Sequence, residues 1–231
     1  MAANKTLKYF TGIAVAAIVP LSLFFVARHF SDGKIKMPAY YRPDSVQQIQ
    51  VNGKMANDTF FHRAKGITLT NQLGQKVDLN TDLKGKILVV DFMFTTCKSV
   101  CPNLSANMKD LQQAYSKKNP DLVQFISISV DPARDSVPVL RAYADRYTAE
   151  HDRWWFLTGN KDSIFDYAKN ELGLLLTEAD VSGDVVHSGK MVLLDTARNI
   201  RGYFDGTDKA QTKLIADDIY ILSVEKRKKG R

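Results

Sequence analysis

The chain has 231 residues, of which 45% are hydrophobic and 25% charged, and a formal net charge of +7. This is the composition of a packed globular domain and excludes disordered, collagen-like and fibrous classes. Its only two cysteines, Cys97 and Cys101, lie four positions apart, which excludes a disulfide-dense scaffold. The basic residues are scattered except for Lys226-Arg227-Lys228-Lys229, and residues 226–231 read as a solvated, frayed tail. No zinc-finger spacing, RNA-binding aromatic motif or basic helix points to nucleic acid, so none is expected as a partner.

In chain order, a stub over residues 1–8 carries Lys5 and Lys8 and is followed by an apolar segment over 9–28. Tyr9 to Ala27 lacks any formal charge and as a helix would span roughly 28 Å, close to the hydrocarbon core of a bilayer. Pro20 inside it is tolerable in a membrane helix. Ala14-Val15-Ala16 resembles a signal-peptide cleavage site, but the apolar run before it is too short and apolar residues continue beyond it. The expectation is therefore an uncleaved transmembrane anchor. Positive charges flank both ends and do not decide its orientation. A short stub ahead of a long translocated domain leaves the domain outside the cytoplasm. The stub is too short for an organelle presequence, which points to the periplasmic side of a bacterial inner membrane.

Residues 29–58 contain Gly33, Pro38, Pro43 and Gly53 among many polar side chains, and read as a tether with at most a short strand. A globular domain is expected over 59–225. Ile67 to Thr70 and Lys76 to Leu79 alternate around Asn71-Gln72-Leu73-Gly74, which predicts a hairpin. Lys86 to Phe94 is a near-continuous apolar run, the mark of a central strand buried on both faces. Leu104, Met108, Leu111 and Tyr115 then recur at helical spacing. A second buried strand follows over Leu122 to Val130, a helix over Val137 to Tyr147 and a short strand over Trp154 to Leu157. Ile164 to Leu172 is helical. Lys190 to Leu194 and Ile200 to Phe204 form a hairpin around Ala197-Arg198-Asn199. Leu214, Ile215, Ile219 and Leu222 close the chain as an amphipathic helix. Strands alternating with helices imply an α/β sheet with helices on both faces, its sequential units parallel and right-handed.

The chemistry concentrates in Asp91-Phe92-Met93-Phe94-Thr95-Thr96-Cys97-Lys98-Ser99-Val100-Cys101-Pro102. Here a buried strand ends and the two cysteines open the next helix, at the sheet edge where α/β proteins bind ligands. A helix amino terminus favours thiolates. Positions i and i+4 would put both sulfurs on one helical face, with Cβ atoms ~5–6 Å apart. That suits a shared metal better than a disulfide, which needs ~3.5–4.5 Å between Cβ atoms.

Two thiolates leave a metal site unfinished, and four histidines are available. His29 abuts the anchor, His62 begins the domain, and His151 sits in an exposed polar stretch. His187 stands just before the strand Lys190 to Leu194 and is the candidate ligand. An iron–sulfur cluster would want more cysteines. Two thiolates and an imidazole suit three-coordinate Cu(I), while zinc, which would want a fourth ligand, remains open.

Phe94 to Pro102 resembles the signature of the SCO/SenC copper proteins, which assemble the CuA centre of cytochrome c oxidase. The resemblance continues through Ile128-Ser129-Val130-Asp131-Pro132-Ala133-Arg134-Asp135 and returns at Val186-His187-Ser188, covering about residues 60 to 225. It implies a thioredoxin-like fold, with copper, as Cu(I) or Cu(II), held by Cys97, Cys101 and His187. Asp131 is either a turn residue or outer support for the site, and Asp135 or Ser136 reads as the cap of the next helix. Two features depart from the family. Lys98 stands where many relatives have proline, and the segment Thr177 to Asp184 is short.

The implied function is a copper metallochaperone serving the oxidase subunit that carries CuA, with other copper donors or thiol reductants as further partners. One rival is a thiol–disulfide reductase using Cys97 and Cys101 as its redox pair. Another is a peroxiredoxin-like peroxidase, which would draw on Thr95 or Thr96.

Overall fold

The computed structural model describes residues 16–26, 37–51, 54–116, 121–176 and 189–229. The chain divides into two units, Met1–Lys36 and Met37–Arg231. In the first, residues 16–26 form a helix, α1, whose Ile18, Leu21, Leu23, Phe24 and Phe25 side chains are exposed. The rest of the expected 9–28 anchor lies outside the described residues. Among the described residues no helix is long and apolar enough to cross a membrane.

In the second unit, the segment read as a tether carries regular structure instead. Strands β1 (Pro43–Val51) and β2 (Lys54–Phe61) form an antiparallel two-stranded sheet. Most of its described side chains are exposed on both faces, so it carries no polar/apolar alternation that would announce a strand. The lead-in to the hairpin is pinned rather than free. The Tyr41 N–H donates to the Ile200 carbonyl at 3.0 Å, and the Arg42 guanidinium donates to the Asn170 carbonyl at 2.7 Å.

The main sheet follows the expected order of elements. It contains β3 (Thr68–Asn71), β4 (Lys76–Asp78), β5 (Ile87–Met93), β6 (Val123–Ser129), β7 (Trp154–Thr158), β8 (Lys190–Leu194) and β9 (Ile200–Asp205). The strand order is β4-β3-β7-β6-β5-β8-β9. β5, β6 and β7 are parallel neighbours, while β8 lies antiparallel on the other side of β5. Every residue of β5 and β6 is buried, because the long apolar runs have both faces covered.

Four helices accompany this sheet: α2 (Cys101–Ser116), α3 (Val137–Arg146), α4 (Lys161–Asp166) and α5 (Lys209–Lys229). α2 and α3 connect β5 to β6 and β6 to β7, and meet through a 3.0 Å hydrogen bond between the Ser105 and Tyr143 hydroxyls. α5 returns to α2, where the Tyr115 hydroxyl donates to the Ala216 carbonyl. α4 starts at an Asn160 cap that accepts the Ser163 N–H at 2.9 Å, and passes into a π-helical turn over Tyr167–Glu171. The helix α5 extends to Lys229, so residues 226–229 are helical where a frayed tail was expected.

This path makes β5 a switch point. The chain moves from β5 through β6 to β7, then crosses back to β8 on the opposite side. A crevice outside the carboxyl end of such a strand is the usual ligand position in open α/β sheets.

Candidate metal centre

At the carboxyl end of β5 the chain turns before helix α2 begins. The Cys97 N–H donates to the Phe94 carbonyl at 3.2 Å, and α2 starts only at Cys101. Cys97 therefore precedes the helix, which corrects the expected helical i, i+4 pair. The pair is joined another way: the Cys101 N–H, which has no intrahelical acceptor in the first turn, donates to Cys97 Sγ at 3.3 Å. Neither cysteine is in a disulfide.

The two thiols differ in chemistry. Cys97 is 8% exposed and Cys101 is 0% exposed. Burial pushes the Cys97 thiol up, but hydrogen bonds from the Cys101 thiol and N–H and from Ser99 outweigh it, leaving Cys97 below its ordinary value. Burial pushes the Cys101 thiol far up, and its hydrogen bond to Cys97 and the nearby Asp91 carboxyl add to this. Of the two thiols Cys97 is therefore the one disposed to ionise first, a distinction the spacing alone does not give.

Asp91, on β5, opens the segment the sequence singles out, but the sequence assigned it no role; in the fold its charge bears on the Cys101 thiol. It is fully buried, and neither carboxylate oxygen has a hydrogen-bond partner among the described residues. Ser127 lies beside it on β6, its oxygen accepting the Trp154 indole N–H at 2.9 Å, near the carboxylate but outside hydrogen-bonding geometry. Burial raises Asp91 from 3.8 to about 7, with Ser127 opposing the shift. A lone carboxylate inside a continuous apolar run was the available signal.

The loop after β6 reaches the same end of the sheet, since Ser129 is level with Met93 and the Val130 N–H donates to the Met93 carbonyl at 2.9 Å. Asp131 has the turn role. Its carbonyl accepts the Arg134 and Asp135 N–H groups, and its 25%-exposed side chain pairs with Arg134 at 3.4 Å. Of the two cap candidates read from the sequence, it is Ser136 and not Asp135 that stands at the start of α3. Ser136 occupies the cap position of α3 without a side-chain hydrogen bond, and Asp135 is buried and turned toward Thr95.

His187 lies outside the described residues, and among those described no group of three or more His, Cys, Asp or Glu is arranged to hold a metal. What is described is the start of the next strand. The pairing of Val90 with Val192 brings the beginning of β8 to the end of β5 where the cysteines sit. Gly189 accepts the Gly206 N–H at 2.8 Å, and the Gly206 carbonyl accepts the Asn107 amide of α2 at 2.8 Å. A Cβ on Gly206 would meet Leu104 at 2.1 Å, so this contact requires glycine. His187 is two residues from Gly189, a reach of at most ~7 Å.

The other described histidines serve elsewhere. His62 contacts Glu171 at 3.0 Å and Asp44 at 3.4 Å. His151, expected to be exposed, is only partly so, and bridges Gln72 at 3.1 Å and Asp145 at 3.0 Å. His29 lies outside the described residues.

A model of the SCO1/SenC family matches residues 61–220. The chain belongs to the SCO1/SenC family. It is 30% identical over 175 residues to the SCO1 protein homolog of Bacillus subtilis, covering 75% of this chain and 90% of that protein. A Stutzerimonas stutzeri protein named for presumed copper binding is 31% identical over 140 residues, 59% of this chain and 66% of that one. Among solved structures, a SCO1/SenC family lipoprotein from Bacillus anthracis is 32% identical with a TM-score of 0.65, covering 70% of this chain and 95% of that chain. BsSco, described as a member of the Sco family of cytochrome c oxidase assembly proteins with a disulfide switch, is 30% identical with a TM-score of 0.63, covering 71% and 94%. The SCO1/SenC domain here has their thioredoxin-like fold, and the β1–β2 hairpin, apart from its last residue Phe61, lies ahead of the matched segment.

Proposed function

We propose that this SCO1/SenC protein binds one Cu(I) through Cys97, Cys101 and His187 and delivers it to the cytochrome c oxidase subunit carrying the CuA site. The observation that carries this reading is the reduced cysteine pair at the switch point, one thiol disposed to ionise and joined to the next by a 3.3 Å hydrogen bond. Soft thiolates select Cu(I) over hard cations, and an imidazole completes a three-coordinate set. The return of β8 to this end of the sheet supports His187 as that imidazole, and so does the family resemblance at Val186-His187-Ser188. Three-coordination leaves a position through which an acceptor thiolate enters during handover. The relative named for copper binding and the oxidase-assembly family of BsSco support the cargo and the destination.

The setting we propose is a bacterial inner membrane, with an anchor over residues 9–28 and the domain on the periplasmic side. The uncharged run and the exposed apolar side chains of α1 support this.

A second reading is a reductase that keeps the acceptor's cysteines reduced, favoured by the unequal thiols. Cys97 attacks an acceptor disulfide, and Cys101 then displaces the acceptor thiol, leaving a Cys97–Cys101 disulfide and a reduced acceptor. Replacing His187 separates the two. His187→Ala is expected to weaken Cu(I) binding by at least about a hundredfold while dithiol–disulfide cycling continues. If cells carrying only this variant still assemble active oxidase, the chaperone reading is wrong and the reductase reading stands.

A further inference from the structure

We propose that Asp135 is a positioning residue for Cys97: it clamps Thr95, two positions ahead of that cysteine, and ties this turn to the loop after β6. The inference rests on the proposed role of Cys97 as a copper ligand.

Asp135 is 1% exposed, and its carboxylate is fully engaged. Thr95 donates twice, its N–H to Oδ2 at 3.1 Å and its hydroxyl to Oδ1 at 2.5 Å. The Ser129 hydroxyl donates to Oδ2 at 2.5 Å, and the Ser129 oxygen accepts the Asp131 N–H at 3.1 Å. The Asp135 N–H in turn donates to the Asp131 carbonyl at 2.9 Å. One buried carboxylate thus holds the ends of two neighbouring parallel strands.

Burying a carboxylate is costly unless it is this fully hydrogen-bonded, and once it is, the geometry becomes rigid. Phe94, adjacent to Thr95, supplies the carbonyl that fixes the Cys97 N–H at 3.2 Å. The clamp therefore acts on the turn that aims the Cys97 sulfur, without touching either thiol. Groups that orient a metal ligand in this way change affinity about 10–100-fold when removed.

The test uses the full reduced chain and Cu(I) buffered by a competing chelator, with thermal unfolding measured on every variant. Thr95→Val and Asp135→Asn are each expected to lower Cu(I) affinity about 10–100-fold, and the double variant to fall no further than the weaker-binding single variant. Thr95→Ser keeps the hydroxyl and is expected to restore affinity, which a loss of packing alone would not explain. Should Asp135→Asn fail to fold, the Thr95 pair decides. A folded Thr95→Val that binds as tightly as wild type, beside a Cys97→Ser variant that has lost binding, overturns the positioning role alone. Unchanged affinity in Cys97→Ser as well removes the copper reading, and the positioning role with it.

Discussion

Between pH 4 and pH 7 the reduced, metal-free protein is expected to lose about 3 kcal/mol of stability that an Asp91→Asn variant retains. Asp91 titrates near 3.8 in the unfolded chain and at about 7 in the folded one. Below the lower value both states hold the proton. Between the two values the unfolded chain releases it while the folded chain keeps it, so unfolding is increasingly favoured as pH rises. Above the upper value both are ionised, and the whole penalty of a carboxylate without hydrogen-bond partners is in place. Asp78 and Asp205, held low chiefly by hydrogen bonds, contribute in the opposite sense, their stabilisation being lost as pH falls. The decisive quantity is therefore the difference between wild type and variant, read by denaturant titration at a series of pH values. A difference that stays constant with pH would mean that Asp91 is solvated or paired in the folded protein.

Arg201→Ala is expected to destabilise the domain by about 3–5 kcal/mol, since it removes one member of a buried charge cluster. Arg201 is 1% exposed and reaches Asp195 at 3.1 Å and Glu225 at 3.2 Å. Its guanidinium also donates to the Pro38 carbonyl at 2.7 Å and lies 4.0 Å from the Tyr40 ring centroid. Its removal takes the buried cation from Asp195 and frees the lead-in to the β1–β2 hairpin. Most of the loss comes from the abandoned charge, so adding Asp195→Asn to Arg201→Ala is expected to recover part of it. Chemical denaturation of the three proteins measures both effects. A loss below about 1 kcal/mol for Arg201→Ala would show that the cluster is solvated like a surface ion pair.

The central sheet was legible because β5 and β6 are apolar along their whole length, and the hairpins because alternation and turn residues mark them. The β1–β2 hairpin was not, because strands exposed on both faces carry no periodic signal. The cysteine pair was legible as chemistry but not as geometry. Spacing alone predicts a helical i, i+4 pair, whereas the turn closed by the Phe94 carbonyl holds Cys97 ahead of the helix. Asp135 shows the same boundary. Its local sequence, just before Ser136 and Val137-Pro138, reads as a helix start, while its partner Thr95 lies 40 residues away. Long-range hydrogen bonds of this kind leave no local pattern.

The copper site is tested most directly by a competition of Cu(I) against Zn(II) for the reduced full-length protein, run beside Cys97→Ala and Cys101→Ala. One Cu(I) per chain, retained against excess Zn(II) and lost in both variants, is the expected result. Copper and zinc bound equally well, or Cu(I) held as tightly without either cysteine, would contradict it.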